Sequence, residues 1–567
     1  MKKLSAFVWA CLALLFVFFT AGAFTIGSAK NTGDKLSYVT DKTAYYTVGS
    51  GGDSLSAVYV NVGAVYTPVG GDTTVTVQYS TSSTSTTSWK TFGTATLANI
   101  RSESGESGYN YNWLCVAEGK NISNVRRLAF FADCNLDLNE IVAINNLGDV
   151  TTLAVGKNGS AGADFEDSAV LATIDKQESF TTETGLYRTF TEEEGYLMTS
   201  VQNVLAGTTV YDGSVYTLDD EYNYLATLLF LPAVAAFGNS VFALRITSFV
   251  ATCACLVFAY LFVRELLKSD EYAFVFAVCG VVAAVAVGCT ATPSALVASA
   301  VAASAYFAAR FFSKGISSRH ILKGGLNVLF SGLFGAGAFA LDASALFPIA
   351  AVLVLLGLGM RRQYLAYKLA LEKAGTDDGE NKETEKIKAD YDYKDRVCYG
   401  FAALSFVAFT FLLALFATVA CYPAVLRTYG SNTGFGTAMG RGVKNSFLSQ
   451  NALAAGGRAT ALKWLVGVGA GMGWLAKAVC WLGLLGFVCS TVKVVLDFAK
   501  KTTEKKALRV RRTYFALLAG TLATVVGRLV KGGVPATPEL LFAAAWLGFV
   551  AIAIAAWFSG KRTDKTE

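Results

Sequence analysis

The chain has 567 residues, of which 53% are hydrophobic and 16% charged, with a formal net charge of +6; its mean hydropathy is +0.44. That is too apolar for a soluble protein of this size, and apolar runs of about 18 or more residues recur, each long enough to cross a hydrocarbon core about 30 Å thick. One histidine, His320, and no clustered cysteine pairs leave no expected zinc site, and no nucleic-acid partner is expected.

Met1-Lys2-Lys3 and the apolar run 6–26 fit either a cleaved signal peptide or an uncleaved anchor. The run is long for a signal, so residues 1–29 are assigned as a transmembrane anchor. Residues 30–180 change character: they are rich in Ser, Thr, Gly and β-branched residues, with short alternating segments between turn signals. Segments 57–62, 74–79, 127–131 and 136–144 read as strands, and many short strands at this spacing predict an antiparallel β-sandwich. The order Trp89, Trp113, Arg126-Arg127-Leu128 and Leu138-Asn139-Glu140-Ile141 resembles a discoidin-type, galactose-binding-like jelly roll. Trp89 and Trp113 are expected in its core, with stacking on sugar rings as the alternative. Cys115 and Cys134 either form a disulfide or remain two free thiols; the other nine of the eleven cysteines fall in apolar spans.

An acidic juxtamembrane segment, 181–240, follows, and its apolar stretch 224–237 is too short to span and is expected to lie in the interface. Spans are predicted at 241–263, 272–291, 293–312, 324–341 and 344–360, then at 397–422, 464–498, 514–531 and 538–558. With the anchor these make about ten. A first bundle (241–360) is thus separated by a charged linker (361–396) from a second (397–567). The loops at Arg264 to Lys268, Arg310 to Lys323, Arg361 to Lys368, Lys500 to Arg512 and Lys561 to Lys565 are basic, whereas acids outnumber bases about two to one between Lys30 and Asp220. Lys and Arg in short loops mark the cytoplasmic side. The expectation is a multi-pass plasma-membrane protein with its sandwich outside the cytoplasm. The external loop 423–463 breaks the pattern with Arg427, Arg441, Lys444, Arg458 and Lys463, positive charges that call for an anionic head group or the acidic outer domain.

Three strings stand in order: Glu193-Glu194-Gly195-Tyr196, Asn203-Val204-Leu205-Ala206-Gly207, and Phe237-Gly238-Asn239-Ser240-Val241-Phe242-Ala243-Leu244-Arg245. With the span from Ala338 to Arg361-Arg362 they cover about a third of the chain. Their order resembles the GT-C glycosyltransferases, and within them the protein O-mannosyltransferases and the lipid A aminoarabinose transferase. Where that family has His-Pro-Pro-Leu, this chain has Tyr222-Asn223-Tyr224-Leu225, and Glu193 stands in place of the family's catalytic Asp.

The resemblance implies a GT-C-like bundle that moves a sugar from a polyprenyl-phosphate donor to an extracytoplasmic glycan, protein or lipid acceptor. The donor arrives through the bilayer, and no glycine-rich phosphate loop followed by a lysine is present. Glu193 is then the general base, with Glu194 or Glu221 assisting and Tyr222 beside the site. Arg441, Lys444 and Arg458 are candidates to neutralise the leaving phosphate. Arg245 is expected to anchor the interfacial helix to its span. No cofactor is implied, and a divalent cation stays open. Two other readings remain. Glu192 to Glu194 read without the resemblance are the acidic first turn of an exposed helix, and the whole chain is then a catalytically inactive, membrane-anchored glycan-binding or scaffolding protein.

Overall fold

The computed structural model describes residues 36–37, 43–49, 51–66, 73–97, 108–109, 113–133 and 135–155 of the first part of the chain. Of the second part it describes 224–238, 241–287, 290–291, 293–316, 321–342, 345–374, 381–416, 474–501, 504–531 and 540–557, together with single helical residues at 9, 13, 17, 194, 197, 198, 201 and 205.

Among the described residues, twelve strands form two antiparallel sheets. In the first, β3 (Asp53–Tyr66) and β10 (Asn135–Asn145) run side by side, flanked by β1 (Leu36–Ser37), β6 (Gly108–Tyr109), β7 (Trp113–Ala117), β8 (Ile122–Val125) and β11 (Val150–Thr151). The second has the order β12 (Leu153–Val155), β2 (Thr43–Val48), β9 (Arg127–Ala132), β4 (Thr73–Ser80), β5 (Lys90–Leu97). All four segments read as strands from the sequence lie in β3, β4, β9 and β10. Their apolar residues, Val60, Val77, Phe130 and Ile141 among them, enter one core shared by the two sheets, joined there by Tyr46 of β2 and Phe92 of β5. Alternation is the cause, since one face of each pleated strand turns to the opposite sheet. At Gly93 a side chain would meet Ala117 and the Val116 carbonyl oxygen at 2.5 Å, so glycine is what lets β5 approach β7.

Trp89 is not a core residue. It is half-buried at the sheet margin, with the Arg127 guanidinium 4.9 Å above its ring and the Tyr45 ring 5.8 Å away. Arg127 in turn donates to the Ser82 carbonyl, fixing the loop that carries Trp89. Cys115 is a free thiol, and Cys134 lies outside the described residues.

The helices are α1 (Tyr224–Phe237), α2 (Val241–Leu267), α3 (Asp270–Val287), α4 (Pro293–Lys314), α5 (Ile321–Leu341), α6 (Leu346–Ala374), α7 (Asn381–Phe416), α8 (Trp474–Ala499), α9 (Lys505–Lys531) and α10 (Leu540–Trp557). Neighbours in sequence pack closely, as α4 does on α5, while α2 also packs on α4, α3 and α8 on α10, and α9 on α6. Small residues permit these approaches. A side chain at Gly486 of α8 would lie 2.6 Å from the Val550 amide nitrogen of α10. Ser304 of α4 and Ser331 of α5 each donate to the other's carbonyl, at 2.7 and 3.0 Å. Close backbone approach and buried hydroxyl bonds are how helices associate where lipid removes the hydrophobic drive.

Five of these helices are long and apolar enough to cross a membrane: 241–267, 293–314, 324–341, 346–373 and 477–499. The expected count of about ten is thus met by five among the described residues, and most of the expected anchor and parts of the spans expected at 397–422 and 464–498 lie outside them. The described apolar part of α10, Phe542–Trp557, is short, and α9 opens on Lys505, Lys506, Arg509, Arg511 and Arg512. The stretch 361–396, expected as a linker, is largely helical: α6 runs through its basic end to Ala374, and α7 opens on its charged end at Asn381. The Tyr367 and Tyr391 rings stack at 4.2 Å between those two extensions.

Candidate functional site

The third quoted string has a local structural meaning. α1 ends at Phe237, and Gly238 follows at φ +75°, donating its amide to the Val234 carbonyl at 2.9 Å. A left-handed residue closing a helix favours glycine, which has no Cβ to clash. The Phe237 ring then meets Phe242 edge-on at 5.3 Å, so α1 turns directly into α2. α1 buries Phe230 and Val234, one turn apart, and leaves Leu229, Pro232 and Phe237 exposed.

Arg245, on the second turn of α2, closes the string. Its Nε donates to Oε1 of Glu194 and its Nη2 to Oε2, both at 2.7 Å. The Ala291 backbone N–H, ahead of α4, adds a third bond to Oε1 at 2.7 Å. Both side chains of the ion pair are 0% exposed. Leu197, Met198 and Val201 lie three, four and seven residues beyond Glu194, one face of a helix, and pack with Phe230, Val234, Leu244 and Ala291. One carboxylate thereby joins the pre-membrane segment to the starts of α2 and α4.

The first string's acid and the last string's arginine, 51 residues apart, are thus the two halves of one buried contact. Arg245 does anchor, but its partner is the segment bearing Glu194. Glu194 is not on an exposed helix turn: burial and both arginine bonds exclude that alternative for this residue. Sequence reasoning had no access to the Ala291 amide, because a backbone donor leaves no trace in residue type. Glu193, Glu221, Tyr222, Arg441, Lys444 and Arg458 lie outside the described residues. Among the described residues no group of three His, Cys, Asp or Glu side chains could hold a metal ion.

The other end of α2 is built differently. Arg264 and Arg245 are separated by about 28 Å of helix, close to the hydrocarbon thickness. There Arg264 pairs with Asp270, and Glu265 accepts from Lys268 and Ser313. Arg362, within α6, donates to the Phe312 and Ser313 carbonyls at 2.9 and 3.2 Å, bringing the basic ends of α2 and α4 and the basic stretch of α6 to a single end of the bundle.

With strongly exposed apolar side chains such as Val250, Val354 and Leu485 on helices of spanning length, the molecule is a polytopic α-helical membrane protein that carries an antiparallel β-sandwich. No family model and no curated protein matches the chain. Among solved structures it is similar to the arabinosyltransferase EmbB from Mycobacterium smegmatis, at 11% identity and a TM-score of 0.24. The match takes in 96% of this chain and 64% of that one, so the chain spans less than two thirds of its length. A likeness this slight carries neither fold nor activity across.

Proposed function

We propose that the chain is a membrane glycosyltransferase of the GT-C kind, transferring a sugar from a polyprenyl-phosphate donor to a glycan, protein or lipid acceptor outside the cytoplasm. The observation that carries this reading is the Glu194–Arg245 pair: it pins the acidic string to the membrane bundle at the end opposite the basic loops. A base that must meet a lipid-borne sugar has to be held rigidly at that boundary, because catalytic geometry tolerates little slack. Glu194 is then a positioning residue, both of its oxygens engaged, and Glu193, its neighbour in sequence, takes the proton from the acceptor hydroxyl. Glu221 and Tyr222 assist, and Arg441, Lys444 and Arg458 offset the charge of the departing phosphate. The sandwich presents the acceptor.

Glu193→Gln is expected to abolish sugar transfer in membranes supplied with polyprenyl-phosphate sugar while the protein still accumulates folded. Full transfer by that variant would remove Glu193 from the mechanism. The engagement of Glu194 in a structural ion pair, which takes one of the paired acids out of the chemistry, favours a second reading as a glycan-binding membrane anchor without turnover. Glycan binding by the whole protein with no transfer from any polyprenyl-phosphate sugar supports that alternative.

A further inference from the structure

Away from the Glu194 cluster, and sharing none of its residues, the helices enclose an apolar cavity of about 680 Å³. Its size falls within the range of about 300–1,000 Å³ typical of ligand sites. α2, α3, α4, α6, α8, α9 and α10 all contribute to its wall, which includes Phe262, Val301, Leu355 and Phe515. Among the described residues lining it, the charged ones are Arg511 and Arg512, and no carboxylate is present. Arg512 and Arg362 both lie 5.7 Å from the ring of Phe312, itself a wall residue. Three guanidinium groups therefore gather at one end of an apolar chamber, at the basic end of the bundle, and like charges so placed call for an anion.

The chamber also has the shape of a chain. Its α9 wall runs from Leu508 to Gly520, about 18 Å of helix, against about 15 Å for half of the hydrocarbon core. Val354, Leu358, Leu508 and Phe515 line it and are all exposed, so the chamber is not sealed but open to the surroundings of the helices. We propose that the cavity holds one acyl chain of an anionic membrane phospholipid, its phosphate seated between Arg511, Arg512 and Arg362. The site is separate from the proposed reaction centre and independent of that reading.

Full-length protein reconstituted in nanodiscs of equal phosphatidylglycerol and phosphatidylcholine, then extracted and weighed by native mass spectrometry, tests this. The expected result is retained phosphatidylglycerol in preference to phosphatidylcholine by about a hundredfold, the effect of three basic groups on an anionic head group. Arg511→Ala with Arg512→Ala should lower the preference about thirtyfold. Gly520→Leu provides a second test with the arginines intact: a side chain there meets nothing within 4 Å, so it should fold, partly fill the chamber and lower retention of both lipids. Equal retention of the two lipids by the natural protein, or unchanged retention by Gly520→Leu, would overturn the proposal. Displacement of phosphatidylglycerol by equimolar polyprenyl phosphate would also overturn it, assigning the chamber to the donor class instead.

Discussion

The two ends of α2 hold carboxylate–cation contacts of opposite character. At one end Glu194 and Arg245 are fully buried and bidentate, and a backbone amide also donates to the carboxylate. At the other, the Arg264 and Asp270 side chains are 46% and 29% exposed, and the Glu265 contacts belong to a partly hydrated network. The lesson is that identical chemistry does different jobs at different burial. A desolvated pair is costly to form and ruinous to halve, so it specifies a unique register; a wet pair is screened and replaceable.

The sharpest way to break that comparison is to halve the buried pair. Arg245→Ala or Glu194→Ala is expected to cost about 3–5 kcal/mol, seen as loss of folded protein or a large fall in Tm in detergent. The double replacement Glu194→Leu, Arg245→Met should recover much of it, because no orphan charge remains. Single variants as stable as the natural protein would show that the contact does not hold the pre-membrane segment. A smaller effect is expected at the α8–α10 crossing, where Gly486→Ala pushes against the Val550 backbone and should cost about 1–3 kcal/mol by overpacking, again read from Tm.

In the sandwich, burial first, and then the neighbouring Cys115 and Glu118, push the Tyr59 hydroxyl up to about 12 from an ordinary 10. Its folded value lies above its unfolded value, so its contribution is intact below about pH 10 and is lost as pH rises toward about 12. Tyr59→Phe should therefore shift the alkaline loss of strand signal in circular dichroism to higher pH; an unchanged midpoint would clear Tyr59 of that role. Smallest of all, Arg264→Ala at the wet end is expected to cost under about 1 kcal/mol, and less in high salt. A cost matching that of Arg245→Ala would erase the distinction between the ends.

Much of the fold was legible beforehand for particular reasons. The alternation in Val58 to Val62 and Val75 to Val77 sends every second side chain inward, which is a strand's period and no helix's, and β3 and β4 follow. The stretch 224–237 is apolar but short, and α1 has those same bounds. The charged stretch around Lys373 to Lys394 misled, because density of charge was read as a solvated linker when it also suits exposed helix faces, as with Lys394 bonded one turn back to Asp390. Trp89 misled in the same way: aromatic rings are usually core, yet a guanidinium above the ring made a half-exposed place suitable.

Composition and periodicity, being local, were enough to establish a membrane-embedded helical region, an antiparallel sandwich before it, and the basic stretches that end α2 and α4 and lie within α6. Long-range pairing was beyond them. That Glu194 meets Arg245 and the amide of Ala291, and that three arginines crowd one apolar chamber, depended on how helices distant in sequence came together, since a side chain's residue type says what it can bond but not what folding brings within 3 Å of it.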